Sequence, residues 1–325
     1  MRADTINKIL GPKVFNVIDT NIPFFDTPHI WRTVGFRFKI GPLIKKINSY
    51  LLSRLKHYKA TSHYDLIWVD KGIFLKPGMV GILKGMTRKL VHFTPDMAFY
   101  ENRSSLFNRS IPLYDFLITT KTRERELYLN RIDPSKLIMT TQGFDKKIHC
   151  SHTKFEDKRD AVSFIGLWEP YREQVIQNLI DNDIKVFLAG KGWNDFVKRN
   201  KSNGYLEYHG EGLFSHEYAK FISNTKMGLG LMSKRFPELH TTRTFEIPAC
   251  GTALITERNP ETSGFFDEDE VIFYKDTESM VQKIKLYLND SESLKGLTER
   301  GTDKVNSSNF DYDSILNSIL TRILG

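Results

Sequence analysis

Cysteine is almost missing from this chain of 325 residues: Cys150 and Cys250 are the two, far apart, with no Cys-x-x-Cys pair and no Cys/His ligand spacing. That excludes a disulfide framework and a zinc site of the usual pattern, and it fits a reducing, cytoplasmic setting. Long hydrophobic runs are missing too. None reaches the ~18–20 residues that span a bilayer, so an integral membrane protein is excluded. The first residues, MRADTINKILGPKVFNVIDTNIPFFD, lack the apolar run and small-residue cleavage site of a signal peptide, and export is not expected. No G-x-G-x-x-G follows the first apolar run, which speaks against a nicotinamide oxidoreductase. Walker A, H-E-x-x-H and G-x-S-x-G are also absent. No aromatic-basic RNA-binding signature and no repeat of 20–50 residues occurs.

Charge, by contrast, is plentiful and unevenly placed. Residues 1–155 hold 26 Lys and Arg against 12 Asp and Glu, while the rest holds 21 against 27. A basic first half facing an acidic second suggests an anionic partner for the first: a membrane surface, a lipid-linked substrate or nucleic acid. Lys45–Lys59 (KKINSYLLSRLKHYK) interleaves Leu and Ile with cations at helical spacing. It reads either as a core helix with a solvated basic face or as a docking face on anionic lipid.

Length predicts two domains of ~150 residues each. Short apolar runs alternate with amphipathic stretches throughout. Lys13–Thr20, YDLIWVD, RKLVHFT, YDFLITT and KLIMTT read as strands of the first half. After the polar stretch Lys146–Asp160 the series resumes with AVSFIGLW, IKVFLAG, YLEYHG, KMGLGLM, TALIT and EVIFY. Ser215 is the expected N-cap of the SHEYAKFISNT helix. Alternation of this kind predicts an α/β fold with two Rossmann-like domains, parallel sheets and a ligand cleft at the strand ends. The expected boundaries are 1–155 and 156–311, with a last helix, 312–325, packing back on the first domain.

The strand ends are where chemistry is expected. Gly166 and Arg172 follow one run; Gly190, Lys191, Gly192 and Trp193 follow the next; Gly210 follows a third. Glycine admits a close backbone approach, and Lys or Arg supplies charge for phosphate, although a tight turn or a salt-bridged Arg would read the same. Residues 239–251, LHTTRTFEIPACG, carry more. Thr241, Thr242 and Arg243 stand at a strand-to-helix junction, where backbone amides and a guanidinium suit phosphate. Glu246 sits among Phe245, Ile247 and Ala249, a carboxylate in an apolar segment. Its two oxygens match two adjacent hydroxyls, as on a ribose. Pro248 makes the helix there short or kinked.

FIGLWEPYREQVIQNLIDNDIKVFLAGKGW, YHGEG, RTFEIPACGTALITE and DEDEVIFYKDTESMVQKIKLYLND, in this order over most of residues 160–290, resemble the CgeB-like glycosyltransferases of the GT-B class. IWVDKG, HFTPD and YDFLITTKTRERELYLNR extend a weaker similarity into the first half. The resemblance implies a transferase that moves a sugar from a nucleotide-sugar donor to a cell-surface glycan, glycolipid or protein, as in polysaccharide biosynthesis. Glu246 then falls at the ribose contact. Glu238, His240, Thr241, Thr242 and Arg243 line the donor sugar and diphosphate, with Arg172 and Lys191 adding charge, and the YHGEG loop lies near the base. Glu238 and Glu246 reproduce an E-x(7)-E spacing, but LHTT stands where a glycine-rich run is usual, so retention or inversion stays open. No metal or other cofactor is expected; helix amides with Arg and Lys serve the diphosphate. An inverting reaction needs a general base, for which Asp96 and then Asp19 are the candidates. The partners expected are the nucleotide sugar, the acceptor and an anionic membrane surface, but not nucleic acid. The place expected is the cytoplasm, peripherally on the membrane's inner face. A nucleotide-sugar epimerase or a two-lobed ligand-binding protein would share the layout.

Overall fold

The computed structural model describes residues 2–11, 15–59 and 63–325. The chain divides into two compact units, Met1–Thr141 with Leu316–Gly325, and Gln142–Ile315. The division falls ahead of the polar stretch Lys146–Asp160.

The first unit is built on four parallel strands, β1 (Tyr64–Asp70), β2 (Thr87–Thr94), β3 (Phe116–Thr119) and β4 (Leu137–Met139), which lie in sequence order. The Pro42–Lys59 helix gives this sheet its main apolar cover. Leu43, Ile47, Leu51 and Leu55 recur every four residues and are buried with Val80, Leu83, Leu90 and Leu117. Lys45, Lys46, Arg54 and Lys56 fall on its exposed side. The expected strand over Lys13–Thr20 is not part of the sheet. Lys13 and Val14 lie outside the described residues, and 15–20 hold no strand. Asp19 instead accepts the Asn21 amide (2.8 Å) in a turn, and Pro23 opens the Ile22–Phe25 helix. The Arg2–Leu10 helix and the last helix, Tyr312–Leu324, close this unit: Ile6, Leu316 and Leu320 bury one another beside Phe15, Leu66 and Trp68.

The second unit holds six parallel strands, β5 (Arg159–Ile165), β6 (Val186–Ala189), β7 (Leu206–Tyr208), β8 (Thr225–Leu229), β9 (Ala253–Glu257) and β10 (Ile272–Tyr274), ordered β10-β9-β8-β5-β6-β7. Successive side chains alternate between faces, so Val162 and Phe164 join one core while Ala161 joins the other. Helices Pro170–Asp181, Thr277–Asn289 and Ser291–Ser307 contribute to the first core, and Ser215–Ser223 and Arg243–Ala249 to the second. Phe214, not the expected Ser215, stands at the N-cap of the Ser215–Ser223 helix, with no side-chain cap; Ser215 is its first residue and has a left-handed backbone (φ 53°). From β5 the chain steps outward to β6 and β7, then returns to the opposite side of β5 as β8. Right-handed connections therefore leave β5 and β8 toward opposite faces, and a crevice opens beyond their carboxyl ends.

The strand ends on one side of that crevice are laced by backbone bonds: Gly166 N to Ala189 O, Trp168 N to Lys191 O, and Gly190 N to Gly210 O, all 2.9–3.0 Å. Among the described residues no helix is long and apolar enough to cross a membrane. Gly190 has φ +137°, and a Cβ there would stand 1.9 Å from Gly166 O. We expect Gly190→Ala to lower stability by about 3 kcal/mol or more. Gly204→Ala, where nothing lies within 4 Å, should leave the urea midpoint nearly unchanged; equal midpoints for the two variants would refute the assignment.

Candidate functional site

Two loops border the β5–β8 reversal: residues 166–169 after β5, and 230–242 after β8. Arg172, in the first turn of the Pro170–Asp181 helix, is buried and folds back toward the first loop. Its Nη1 donates to Leu167 O (2.9 Å) and meets Glu169 Oε1 at 3.2 Å. Arg243 opens the helix after the second loop and donates Nη2 to Leu231 O (3.0 Å). Both guanidinium carbons lie near the ring of Phe164, at 5.7 and 5.8 Å from its centroid. Two cations thus converge on one aromatic ring at the strand-order reversal.

Their bonding is incomplete. Arg172 Nε, Arg243 Nε and Thr241 Oγ1 are each buried without a hydrogen-bond partner. An unmade bond of this kind costs about 1–3 kcal/mol, so each is a group that an oxygen atom supplied from outside would satisfy. Guanidinium groups only donate, and an anion rich in oxygens is their natural complement. Burial lowers the Arg172 pKa to about 10; Arg243 adds to the shift, and Glu169 and Glu238 oppose it. Arg172 therefore stays charged at neutral pH.

Glu169 is the partner that the sequence reading did not single out. This buried carboxylate meets Arg172 through Oε1. Through Oε2 it accepts Ser233 Oγ (3.1 Å) and the Lys234 amide (3.4 Å), which ties the two loops together.

The helix that follows the second loop spans seven residues, Arg243–Ala249. As expected, Phe245, Ile247 and Ala249 are buried and Pro248 stands near its end. Its early amides are committed within the chain: Thr244 N donates to Thr241 O, and Phe245 N and Glu246 N donate to Thr242 O. These three amides are therefore not offered to a ligand at the helix terminus. Thr242 Oγ1 is committed as well, donating to Glu246 Oε2 (3.0 Å). The same oxygen accepts the Tyr218 hydroxyl (2.5 Å), and Oε1 lies 3.7 Å from His149 Nε2. His149 Nδ1 accepts the Asp145 amide (3.0 Å), so the neutral ring carries its proton on Nε2, toward Glu246. Burial lowers the His149 pKa against the pull of Glu246 and Asp145, and burial followed by Glu246 raises that of Tyr218. Both groups are thereby kept neutral, as donors to the carboxylate.

Two other residues have structural employment. His240 was placed on the diphosphate, but it is buried, with Nε2 accepting the Gln142 amide (3.1 Å) and Nδ1 bonded to Glu261 Oε2 (2.5 Å). Trp193, one of the strand-end residues at which donor chemistry is expected, is instead fully buried and donates Nε1–H to Gly166 O (2.9 Å), so it braces the strand end from within the core. Gly166 itself leaves no room for a Cβ, which would stand 2.8 Å from the Phe164 ring. Lys191 is exposed at the rim, and Gly210 turns with φ +93°. Glu238 is half-buried in the β8 loop, close enough to act on Arg172.

In the first unit, Asp96 follows β2. It pairs with Lys71 and accepts Asn102 Nδ2 (3.2 Å). Asp19 is the turn acceptor already described. His92 is buried against Phe107, and Nε2–H donates to Lys71 O (2.7 Å). Among the described residues no three His, Cys, Asp or Glu side chains gather to hold a metal ion.

Residues 172–321 match the family model described as glycosyl transferase-like. No curated protein matches the sequence. Among solved structures, HepE of Anabaena in complex with UDP is similar with a TM-score of 0.62 at 13% identity, over 86% of this chain and 83% of that one. Sucrose-phosphate synthase from Thermosynechococcus elongatus has a TM-score of 0.62 at 15% identity, over 87% and 81%. A glycosyltransferase from Rickettsia africae has a TM-score of 0.60 at 10% identity, over 85% and 79%. The α/β architecture with two parallel sheets is that of the GT-B glycosyltransferases.

Glu169→Ala should cost about 3 kcal/mol, because it leaves Arg172 charged and unpaired in the interior; a change in the urea midpoint no larger than that of an exposed Glu→Ala control would contradict this pairing. His92 supplies a pH dependence. Burial first of all lowers its pKa to about 4, against 6.5 for the free side chain. The unfolded chain takes up the proton first, so His92 lowers stability as pH falls from 6.5 toward 4. Between pH 7.5 and 4.5 this should remove roughly 2 kcal/mol from the wild type relative to His92→Phe. Parallel stability curves for the two proteins would rule it out.

Proposed function

We propose that the protein is a glycosyltransferase of the CgeB-like type that moves a sugar from a nucleoside diphosphate sugar to a glycan, glycolipid or protein acceptor. The observation that carries this reading is the pair Arg172 and Arg243. Arg172 is buried and Arg243 half-buried beside Phe164 at the strand-order reversal, and each has a buried Nε without a partner. The diphosphate takes these donors and Thr241 Oγ1, with Lys191 at the rim. Glu246 takes the ribose hydroxyls through Oε1, which stands 3.7 Å from His149 Nε2. Tyr218 and Thr242 hold the other oxygen and so fix the carboxylate's orientation. Gly210 borders the base, and Glu238 faces the donor sugar. The UDP and UDP-glucose bound to HepE support a donor of this class.

In the reaction the bond between the sugar's C1 and the diphosphate oxygen breaks, and the acceptor hydroxyl oxygen bonds to C1. Negative charge develops on the departing diphosphate, and the two guanidinium groups are preorganised to receive it. On an inverting course the hydroxyl proton passes to a carboxylate of the first unit, with Asp96 ahead of Asp19.

Binding of UDP and of inorganic pyrophosphate separates the assigned roles. Arg243→Ala should weaken both by roughly tenfold or more, as expected for a lost charge-assisted contact. Glu246→Ala should weaken UDP alone, since pyrophosphate has no ribose; equal loss of both ligands would remove Glu246 from that role. Turnover of a nucleotide sugar with acceptor should persist in EDTA. Without acceptor no isomerised nucleotide sugar should form, and its appearance would favour an epimerase.

A further inference from the structure

The segment between the first turn and the Pro42–Lys59 helix reverses the usual arrangement of a surface helix. Gly35 lies at the middle of the His29–Phe38 helix, and a Cβ on it would stand 2.6 Å from Leu43 Cδ2. The helix therefore packs inward through a glycine. Its outward side carries Ile30, Trp31, Val34 and Phe38, at spacing i, i+1, i+4 and i+8, which is a single helical face. Ile30 is 67% exposed and Phe38 57% exposed; nearby, Phe25 reaches 70% and Ile40 60%. Single exposed apolar side chains are ordinary, but such a group on one short segment marks an interaction surface.

Cations fringe this face. Residues 22–46 contain Arg32, Arg37, Lys45 and Lys46 against Asp26, while a fifth cation, Lys39, is buried with Nζ donating to Phe36 O. Arg37 lies over the Phe38 ring at 5.5 Å, and Lys45 and Lys46 are exposed on the next helix. The apolar side chains can enter an interface while the cations meet acidic headgroups. A second copy of the chain would bring the same cations to the same contact, so like charges would face one another. A ten-residue helix is ~15 Å long and cannot cross a bilayer, but it can lie in its surface.

We propose that residues 22–40, with Lys45 and Lys46 beside them, dock the protein on the surface of an anionic phospholipid bilayer. The inference does not rest on the transfer reaction. It differs from docking through the Lys45–Lys59 basic face alone, because the inserting side chains belong to the preceding segment.

The test is co-sedimentation of the full chain with vesicles of equimolar phosphatidylglycerol and phosphatidylcholine, and with vesicles of phosphatidylcholine alone. The wild type should partition to the anionic vesicles roughly tenfold more strongly or better. The double variant Trp31→Ser/Phe38→Ser should lose roughly tenfold in partitioning while keeping its urea midpoint. Phe25→Ser/Ile40→Ser gives a second, independent pair should the first destabilise the fold. Lys45→Glu/Lys46→Glu should reduce the preference for anionic over neutral vesicles. Three outcomes would overturn the proposal. One is vesicle binding by both serine pairs equal to the wild type. Another is no binding of the wild type to anionic vesicles. The third is a wild-type dimer, by sedimentation velocity, that the serine pairs dissolve, since a second copy would then be what covers this face.

Discussion

Arg172 is a charge held almost out of water, and the second unit is organised around keeping it there. A buried guanidinium is tolerated only when its charge is matched and its donors are bonded. Glu169 supplies the match, Leu167 O and the ring of Phe164 supply contacts, and the buried Nε is left without a partner. Because Glu169 also holds Ser233 and the Lys234 amide, the pair fixes the loop after β8 to the loop after β5. Arg243 leans on the same Phe164 ring from that second loop. Two cations side by side repel, and Arg243 accordingly adds to the lowering of the Arg172 pKa while Glu169 and Glu238 oppose it.

Glu246 works by a different economy. It is surrounded by neutral donors, Tyr218, Thr242 and the Nε2–H of His149. Hydrogen bonds of fixed direction orient a carboxylate more sharply than a mobile cation would, and orientation is what a contact to two vicinal hydroxyls needs. The site therefore joins a region of excess positive charge to a region of directional acceptors. That division suits a ligand with a charged middle and a polar, neutral flank.

Much of this frame was legible in the sequence, and the exceptions share physical causes. The strands β5, β6, β8 and β9 announce themselves as short apolar runs, and the glycines at 166, 190 and 210 mark the ends of β5, β6 and β7. The apolar neighbours of Glu246 gave away its position. Glu169 gives no local signal, because its partners Ser233 and Lys234 are 64 and 65 residues away. His240 looked like a phosphate contact because nothing local shows that Gln142 and Glu261 claim its two nitrogens. The Ser291–Ser307 helix went unread for another reason. It packs partly through Gly301, where a Cβ would stand 2.3 Å from Glu270 O, so its hydrophobic period is thin. The His29–Phe38 helix hides in the same way, through Gly35. A helix docked by glycine contributes backbone, and pattern reading counts side chains.

The last helix has a consequence for how the protein is made. Leu316 and Leu320 complete the small core around Ile6, Leu66 and Trp68, so the first unit draws on both ends of the chain. A polypeptide leaving the ribosome presents Ile6 early and Leu320 some three hundred residues later. The second unit, Gln142–Ile315, has all of its strands in the meantime and can fold while the first still lacks its closing segment. The small core around Ile6 is therefore completed only after the strands of the second unit have been made, which ties the closing of the first unit to the synthesis of the second.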